Sequence, residues 1–334
     1  MITGQKPFER IAWVDAVRGA AILFVVLGHC IGSSVPHAEW GTAYWGLHTY
    51  LYAFHMALFF FIAGYVFNLP KYADRSYTFV RTRVKTLLIP FAFFSVLGLI
   101  FFSFLNEQNL FLSQPVLPFL KDVALAQDPG QPANWLWFLL SLFIVEMMYY
   151  ALSRVLYPRR FLLQVILLVT VSLVGVFLIH INPLMALLYY GFGHLFRHHG
   201  EQTIRRALPV AVFVCTIPFL FLGGRNPEGM WNPVTLLQYV DMTGTAFLGI
   251  FTTVLMVMWA YEGEKRYRTM EFFGRNSITF YIMSGFVLAA YSHFFPAEIR
   301  YANILFLFAT VLVGCLPFVV IFNRFIPFAI GRDR

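Results

Sequence analysis

Long apolar runs recur along the whole chain, and the polar segments between them never reach domain size. About 20 consecutive apolar residues in a helix cross the hydrocarbon core of a bilayer. The apolar runs predict ten membrane helices, near residues 12–33, 45–67, 86–105, 135–157, 161–181, 183–196, 207–223, 244–261, 276–295 and 302–323. Residues 234–243 are predicted to form a partial re-entrant helix before the eighth of these. The pattern therefore predicts an all-α polytopic membrane protein, with residues 1–334 as one membrane domain and no appended soluble domain.

The positive charges give this arrangement a direction. An even number of crossings puts both termini on one side, and cytoplasmic loops of membrane proteins collect Lys and Arg. If the N-terminus is cytoplasmic, the cytoplasmic segments hold 20 of the 24 lysines and arginines. A wrong number of crossings would mix the two sets of loops, so the asymmetry supports ten helices with both termini in the cytoplasm.

Composition agrees with a membrane protein and disfavours other classes. Charged residues make up 12% of the chain, against about 25% in soluble domains. The net charge of +8 is explained by cytoplasmic loops facing membrane lipids, so no nucleic-acid partner is expected. The three cysteines lie in apolar segments without metal or disulfide spacing, and neither a metal nor a permanently bound cofactor is predicted.

The first helix carries an unusual polar stripe. Ionisable residues inside a membrane span are costly and usually face a protein interior or a water-filled cavity. The 11 residue steps from Arg18 to His29 come to about 1100°, close to full turns, and Asp15 lies one turn before Arg18. The stripe thus carries an arginine near the cytoplasmic edge and a histidine about 16 Å deeper. A functional pathway is one interpretation; a snorkelling arginine and a single interhelical hydrogen bond from His29 is the other.

Two further ionisable residues, His55 and Glu146, lie deep in predicted spans. A buried carboxylate needs a cationic or hydrogen-bonding partner, and Arg18 or His29 could supply it; a purely structural ion pair is equally compatible with the pattern. The basic cluster Arg81-Thr82-Arg83-Val84-Lys85 just before the third predicted span is, by itself, typical of positive-inside topology.

The order of motifs resembles the acyltransferase-3 family, including its fucose-4-O-acetylase-like members. The family's opening carries an arginine, ten intervening residues and a histidine, as Arg18 and His29 do. Three later segments match further family blocks: residues 54–65, 137–139 and 273–277. The chain departs from the family pattern at the second position of the basic pair before the third span, where it has Thr86, and at a later histidine position, where it has Ser284.

The resemblance implies transfer of an acetyl group from acetyl-CoA to a hydroxyl of an envelope glycan. It makes His29 the catalytic histidine and Arg18 its partner near the CoA entrance. The cluster of Arg81, Arg83 and Lys85 is expected to face the phosphates of CoA. Supporting or substrate-lining positions are expected at Asp15, His55, Trp137, Glu146, Asn276 and Ser277.

The sequence thus predicts an O-acetyltransferase of the bacterial inner membrane whose acceptor is a lipid-linked sugar, an exopolysaccharide or O-antigen. A homo-oligomer is compatible with the sequence. Two alternatives use the same residues differently. A transporter or flippase would use the intramembrane polar groups as a substrate pathway, although no repeat pair is evident. A non-catalytic scaffold of an envelope-assembly complex would tolerate loss of both Arg18 and His29.

Overall fold

The computed structural model describes residues 11–34, 43–72, 75–106, 134–156, 161–178, 184–225, 233–263, 265–295 and 304–332. In these residues all the regular secondary structure is helical. The fifteen α-helices of these residues are α1 (Ala12–Ser34), α2 (Ala43–Tyr52), α3 (His55–Tyr65), α4 (Leu69–Tyr72), α5 (Ser76–Arg83), α6 (Ile89–Asn106), α7 (Trp137–Leu156), α8 (Phe161–Phe177), α9 (Leu184–Leu195), α10 (Glu201–Arg205), α11 (Leu208–Leu222), α12 (Leu236–Ala260), α13 (Arg268–Arg275), α14 (Ser277–Phe294) and α15 (Ile304–Arg324). Two π-helical turns, Val84–Leu88 and Phe196–Gly200, follow α5 and α9, and two short 3₁₀ segments are Asn134–Leu136 and Pro327–Ile330.

The predicted all-α polytopic fold is confirmed, and each of the ten predicted apolar segments contains a helix. Seven helical segments in the described part of the chain are long and apolar enough to cross a membrane. The other three predicted segments behave differently. Helix α8 has 17 residues, and Leu184–Arg205 forms with α11 a pair bent by 113°, which makes eight crossings if the pair is one span. The structure has fewer candidate spans than the ten predicted because one helix is short and two helices form a bent pair. Apolarity alone reveals neither property.

Two predicted boundaries are wrong. The segment expected to be re-entrant is the beginning of α12, which runs unbroken from Leu236 to Ala260. A capping box starts it, because the Thr235 hydroxyl accepts from the Gln238 backbone N–H and the Gln238 side chain accepts from the Thr235 N–H. The third span begins near Ser76 and continues to Leu105, so the basic cluster lies on this helix and not before it.

Contacts join the segments that the charge pattern assigns to the cytoplasm. The rings of Trp13 and Tyr65 are 5.0 Å apart, and the Tyr65 hydroxyl donates to Glu201 Oε2 at 2.6 Å. Near the other end of the chain, the Arg332 guanidinium donates to the backbone oxygen of Arg275. Helix α13, which ends at Arg275, packs against the beginning of α1. Both described ends of the chain therefore lie at the same end of the bundle.

Helices α1 and α13 pack backbone against backbone through glycine. A Cβ added to Gly274 would collide with the carbonyl oxygen of Asp15, and one added to Gly19 would collide with the carbonyl oxygen of Met270. Small residues are the usual means by which membrane helices approach closely. This contact fixes α13 against the part of α1 that carries Asp15 and Arg18.

An ion pair holds the residues that lead into α13. The Arg266 guanidinium donates from Nε to Glu271 Oε1 at 3.0 Å and from Nη2 to Oε2 at 2.5 Å. Glu271 is 2% exposed, and the Tyr261 hydroxyl donates to it as well, at 3.4 Å. The hydrogen bonds from Arg266 are the main cause that holds the pKa of Glu271 below its usual value of 4.5.

We expect Gly274→Ala to destabilise the protein, because the added methyl group separates α1 from α13. Overpacking of this kind costs about 1–3 kcal/mol, and thermal unfolding in detergent measures it as a lower Tm. The matched control is Gly244→Ala in α12, where an added Cβ meets nothing within 4 Å. There the better helix propensity of alanine should leave stability unchanged or raise it. Equal effects of the two substitutions would contradict glycine-mediated packing.

Acid should weaken the attachment of α13 through Glu271. A carboxyl group with a lowered folded-state pKa stabilises the fold above its unfolded pKa, and this contribution disappears as the pH falls through the folded pKa. Between about pH 6 and about pH 3 the Tm should therefore fall more steeply for the wild type than for Glu271→Gln. Glu262→Gln, at an exposed residue between α12 and α13, is expected to follow the wild type. Parallel curves for wild type and Glu271→Gln would refute the linkage.

Candidate active site

A cavity of about 170 Å³ opens beside Arg18. Arg18 and Ser277 bring charged and polar groups to its wall, and Tyr281 adds a phenol. The remaining lining residues are apolar: Phe59, Ala63, Leu87, Phe138, Leu139, Leu142 and Ile278. The cavity is therefore an apolar pocket with an arginine at its wall, built from α1, α3, α7, α14 and the π-turn before α6. Of the predicted site residues, it brings Arg18 and Ser277 together.

Asp15 forms an ion pair with Arg18. Its Oδ1 lies 3.7 Å from Arg18 Nη1, one turn along the same helix. The Asp15 side chain is 4% exposed and that of Arg18 is 31% exposed. A partly exposed guanidinium beside a buried carboxylate is held in one region and still accessible to an anion.

The polar stripe of α1 is not continuous. Ile22 and Val25 occupy the same face between Arg18 and His29, and both are buried with exposures of 0% and 1%. His29 is not among the residues that line the cavity. An apolar layer thus separates two polar centres, one around Arg18 and one around His29. Helical phase places both residues on one face but cannot show what fills the space between them.

Tyr52 is the side chain that pairs with His29, and it was not identified from the sequence. Its hydroxyl lies 3.4 Å from His29 Nδ1. The position of its ring depends on the glycine that precedes the histidine, because a Cβ on Gly28 would lie 2.8 Å from Tyr52 Cε2. The only sequence signal for this pairing is that glycine, which makes room beside His29 for a neighbouring ring.

An aromatic column on α2 supports Tyr52. The His48 ring stacks on Tyr52 with centroids 3.9 Å apart, and Trp45 stacks on the other side of His48 at 4.4 Å. His55 meets the edge of Tyr52 at 4.8 Å. Three histidines therefore surround one tyrosine. No group of three or more His, Cys, Asp or Glu side chains in the described ranges is arranged to hold a metal ion.

The predicted residue His55 has a backbone partner. Its Nδ1 lies 2.7 Å from the carbonyl oxygen of Leu51, and because a carbonyl only accepts, Nδ1 carries the proton. This bond spans the break between α2 and α3 at Ala53 and Phe54. His55 thus holds the bend of the second span, next to Tyr52.

Glu146 pairs with Arg83, not with the Arg18 or His29 that sequence reasoning considered. Glu146 Oε2 lies 2.9 Å from Arg83 Nε. Because the N–H does not point along the contact, the two groups form an ion pair without a hydrogen bond. Arg81 lies two residues earlier on the same helix and is exposed, and Lys85, in the π-turn, is half-buried. The structure therefore separates the three basic residues into different environments.

The remaining predicted residues lie near the cavity wall. Asn276 donates from Nδ2 to the Phe272 carbonyl at 2.9 Å and accepts from Asn323 Nδ2 at 3.0 Å, which fixes the junction before Ser277. Trp137 is half-buried beside Phe138, with ring centroids 6.4 Å apart. Both residues adjoin members of the lining without being members themselves.

Tyr281, which sequence reasoning also missed, ties two helices together at the cavity. Its hydroxyl donates to the carbonyl oxygen of Trp135 and accepts from the Phe138 backbone N–H at 3.3 Å. The beginning of α7 is thereby held against α14. No sequence signal marks this residue, because its partners lie more than 140 positions away.

Comparison with known proteins agrees with this architecture. The model of a family described as an acyltransferase domain matches residues 11–323, which include every site residue named above. No curated protein and no solved structure matches the chain significantly. The family match covers nearly the whole chain and all of its membrane helices. The chain belongs to the acyltransferase-3 family and is a multi-pass membrane acyltransferase.

Proposed function

We propose that the protein moves an acetyl group from cytoplasmic acetyl-CoA to a hydroxyl of a cell-envelope or exported glycan in the bacterial inner membrane. The observation that carries the proposal is the apolar cavity at Arg18. Arg18 lies on the same face of α1 as His29. The acceptor is a lipid-linked sugar, an exopolysaccharide or O-antigen. Membership of an acyltransferase family supports acyl transfer, and the distribution of charge supports a cytoplasmic donor.

The donor end of the site is cationic. Arg18, Arg81, Arg83 and Lys85 belong to the end of the bundle at which both described chain ends lie. Arginine binds phosphate through charge-assisted hydrogen bonds, which suits the nucleotide part of CoA. The apolar cavity beyond Arg18 suits the narrower arm that carries the thioester. Acetyl transfer then requires the layer of Ile22 and Val25 to open, because the cavity ends before His29.

His29 acts as the general base in this proposal. If its Nδ1–H donates to the Tyr52 oxygen, Nε2 keeps a lone pair and faces the acceptor. Nε2 takes the proton as the acceptor oxygen attacks the thioester carbonyl, the C–S bond breaks, and the proton passes to the departing CoA thiolate. Tyr52 selects the tautomer and orientation of the imidazole, much as the second partner of a catalytic histidine does in hydrolases.

Replacing His29 by alanine should abolish glycan acetylation while the protein remains in the membrane. The measurement is mass analysis of envelope glycans from a strain that lacks the gene and carries the variant. His293→Ala is the matched control, since His293 is exposed at the far end of α14, and its acetylation should equal that of the wild type. Full acetylation by His29→Ala would refute the proposed role.

Tyr52→Phe removes the hydroxyl but keeps the stacked ring. Loss of a hydrogen bond worth about 1 kcal/mol predicts a kcat lower by roughly fivefold to tenfold, with an altered pH profile and an unchanged KM for acetyl-CoA. The control is Tyr50→Phe on the same helix, whose hydroxyl donates to the carbonyl oxygen of Leu220. Wild-type kcat and pH profile in Tyr52→Phe would show that the hydroxyl does not serve His29.

A further inference from the structure

The ion pair of Arg83 and Glu146 lies directly next to the cavity. Leu87 and Leu142 line the cavity, and each is four residues, about one helical turn, from one member of the pair. Helix α7 carries Glu146 toward the end of the bundle that holds the basic segments, so the pair lies on the cytoplasmic side of the cavity. A molecule that enters the cavity from that end passes the pair.

The pair is asymmetric in exposure. The Glu146 side chain is 4% exposed, and that of Arg83 is 21% exposed. Tyr190, which is fully buried, donates to the second carboxylate oxygen of Glu146 at 3.4 Å. Glu146 is thus enclosed by protein on both oxygens, while the Arg83 side chain is partly exposed.

Two contacts hold the guanidinium in place, and a π-helical turn follows the residue. Its Nε lies 2.9 Å from Glu146 Oε2, and its Cζ lies 5.3 Å from the centroid of the Phe79 ring, one turn back on the same helix. The π-helical turn Val84–Leu88 begins immediately after Arg83. Single π-helical turns occur frequently at functional sites, where they redirect side chains. Nε is the guanidinium nitrogen closest to the backbone. Because it is the nitrogen beside Glu146, the terminal nitrogens Nη1 and Nη2 are the donors that can bind a ligand.

Stability does not explain the pair. Removing two charges from water costs several kcal/mol for each ion, and apolar residues of similar volume often stabilise a protein as well or better. Ionisable residues in membrane spans are correspondingly rare and mark functional pathways. An arginine that is fixed by a buried carboxylate beside a cavity is therefore better explained by what its outer nitrogens bind.

We propose that Glu146 is a positioning residue: it fixes Arg83 so that the terminal nitrogens bind a phosphate group of the donor nucleotide. This inference rests on the proposed use of acetyl-CoA and selects one residue from the basic cluster. Arg81 lies two residues away, about 200° around the helix, and is exposed, so it points away from this position. The ligand class is a phosphate monoester or a diphosphate attached to an arm long enough to enter the cavity.

The test compares two donors. Acetyl-CoA carries the phosphates, and S-acetyl-pantetheine has the same thioester arm without the nucleotide. In membrane vesicles, Glu146→Gln should raise the KM for acetyl-CoA roughly tenfold with little change in kcat, because a mobile Arg83 loses charge-assisted hydrogen bonds to phosphate. With S-acetyl-pantetheine, its KM and kcat should equal those of the wild type. A purely structural role would change the kinetics with both donors alike.

Glu201→Gln is the matched control, since Glu201 pairs with Arg205 at 2.8 Å outside the site, and it should behave as the wild type with both donors. The double variant Arg83→Gln/Glu146→Gln leaves no unpaired charge inside the bundle and carries the test if the single variant fails to accumulate. It should likewise lose affinity for acetyl-CoA alone. Equal KM changes for the two donors would overturn the inference, whereas absence of transfer by the wild type from either donor would overturn the proposed function instead.

Discussion

The cost of placing a charge in hydrocarbon shapes this protein. Water is absent from the bilayer core, so an ionised side chain there needs a partner, a cavity or a route to the interface. Arg18 has Asp15 and a cavity, and Arg83 has Glu146. Both arrangements face the interior of the bundle at the same end, and in the proposed mechanism they form a cationic entrance to the apolar pocket.

The first helix organises the site because it carries both polar centres. Its beginning is fixed by the glycine contact of Gly274 with the backbone of Asp15. Further along, Gly28 gives room to the ring of Tyr52 beside His29. Between these points the side chains are apolar and tightly buried. In the proposed mechanism, the helix joins a donor-facing centre at Arg18 to the centre at His29, and the buried apolar layer between them has to open during turnover.

Local signals predicted the helices and the shared face of Arg18 and His29, because hydrophobic periodicity and helical phase depend only on neighbouring residues. The extra turns at the start of α12 and the third span were missed because their caps and polar residues resemble loops. The pairing of Glu146 with Arg83, and of His29 with Tyr52, joins residues from different helices. Such partners follow from how the helices pack, which local patterns in a single sequence do not reveal. The acyl-transfer reaction was inferred from the family motifs, because hydrophobic periodicity carries no information about chemistry.

In the proposed mechanism, acetyl groups enter from the end of the bundle that carries Arg18 and both described chain ends. Sealed membrane vesicles of the two orientations test it directly when radiolabelled acetyl-CoA, which does not cross the membrane, is added outside. We expect inside-out vesicles to incorporate label into glycan, and right-side-out vesicles to incorporate none until detergent opens them. Equal incorporation by sealed vesicles of both orientations would contradict it.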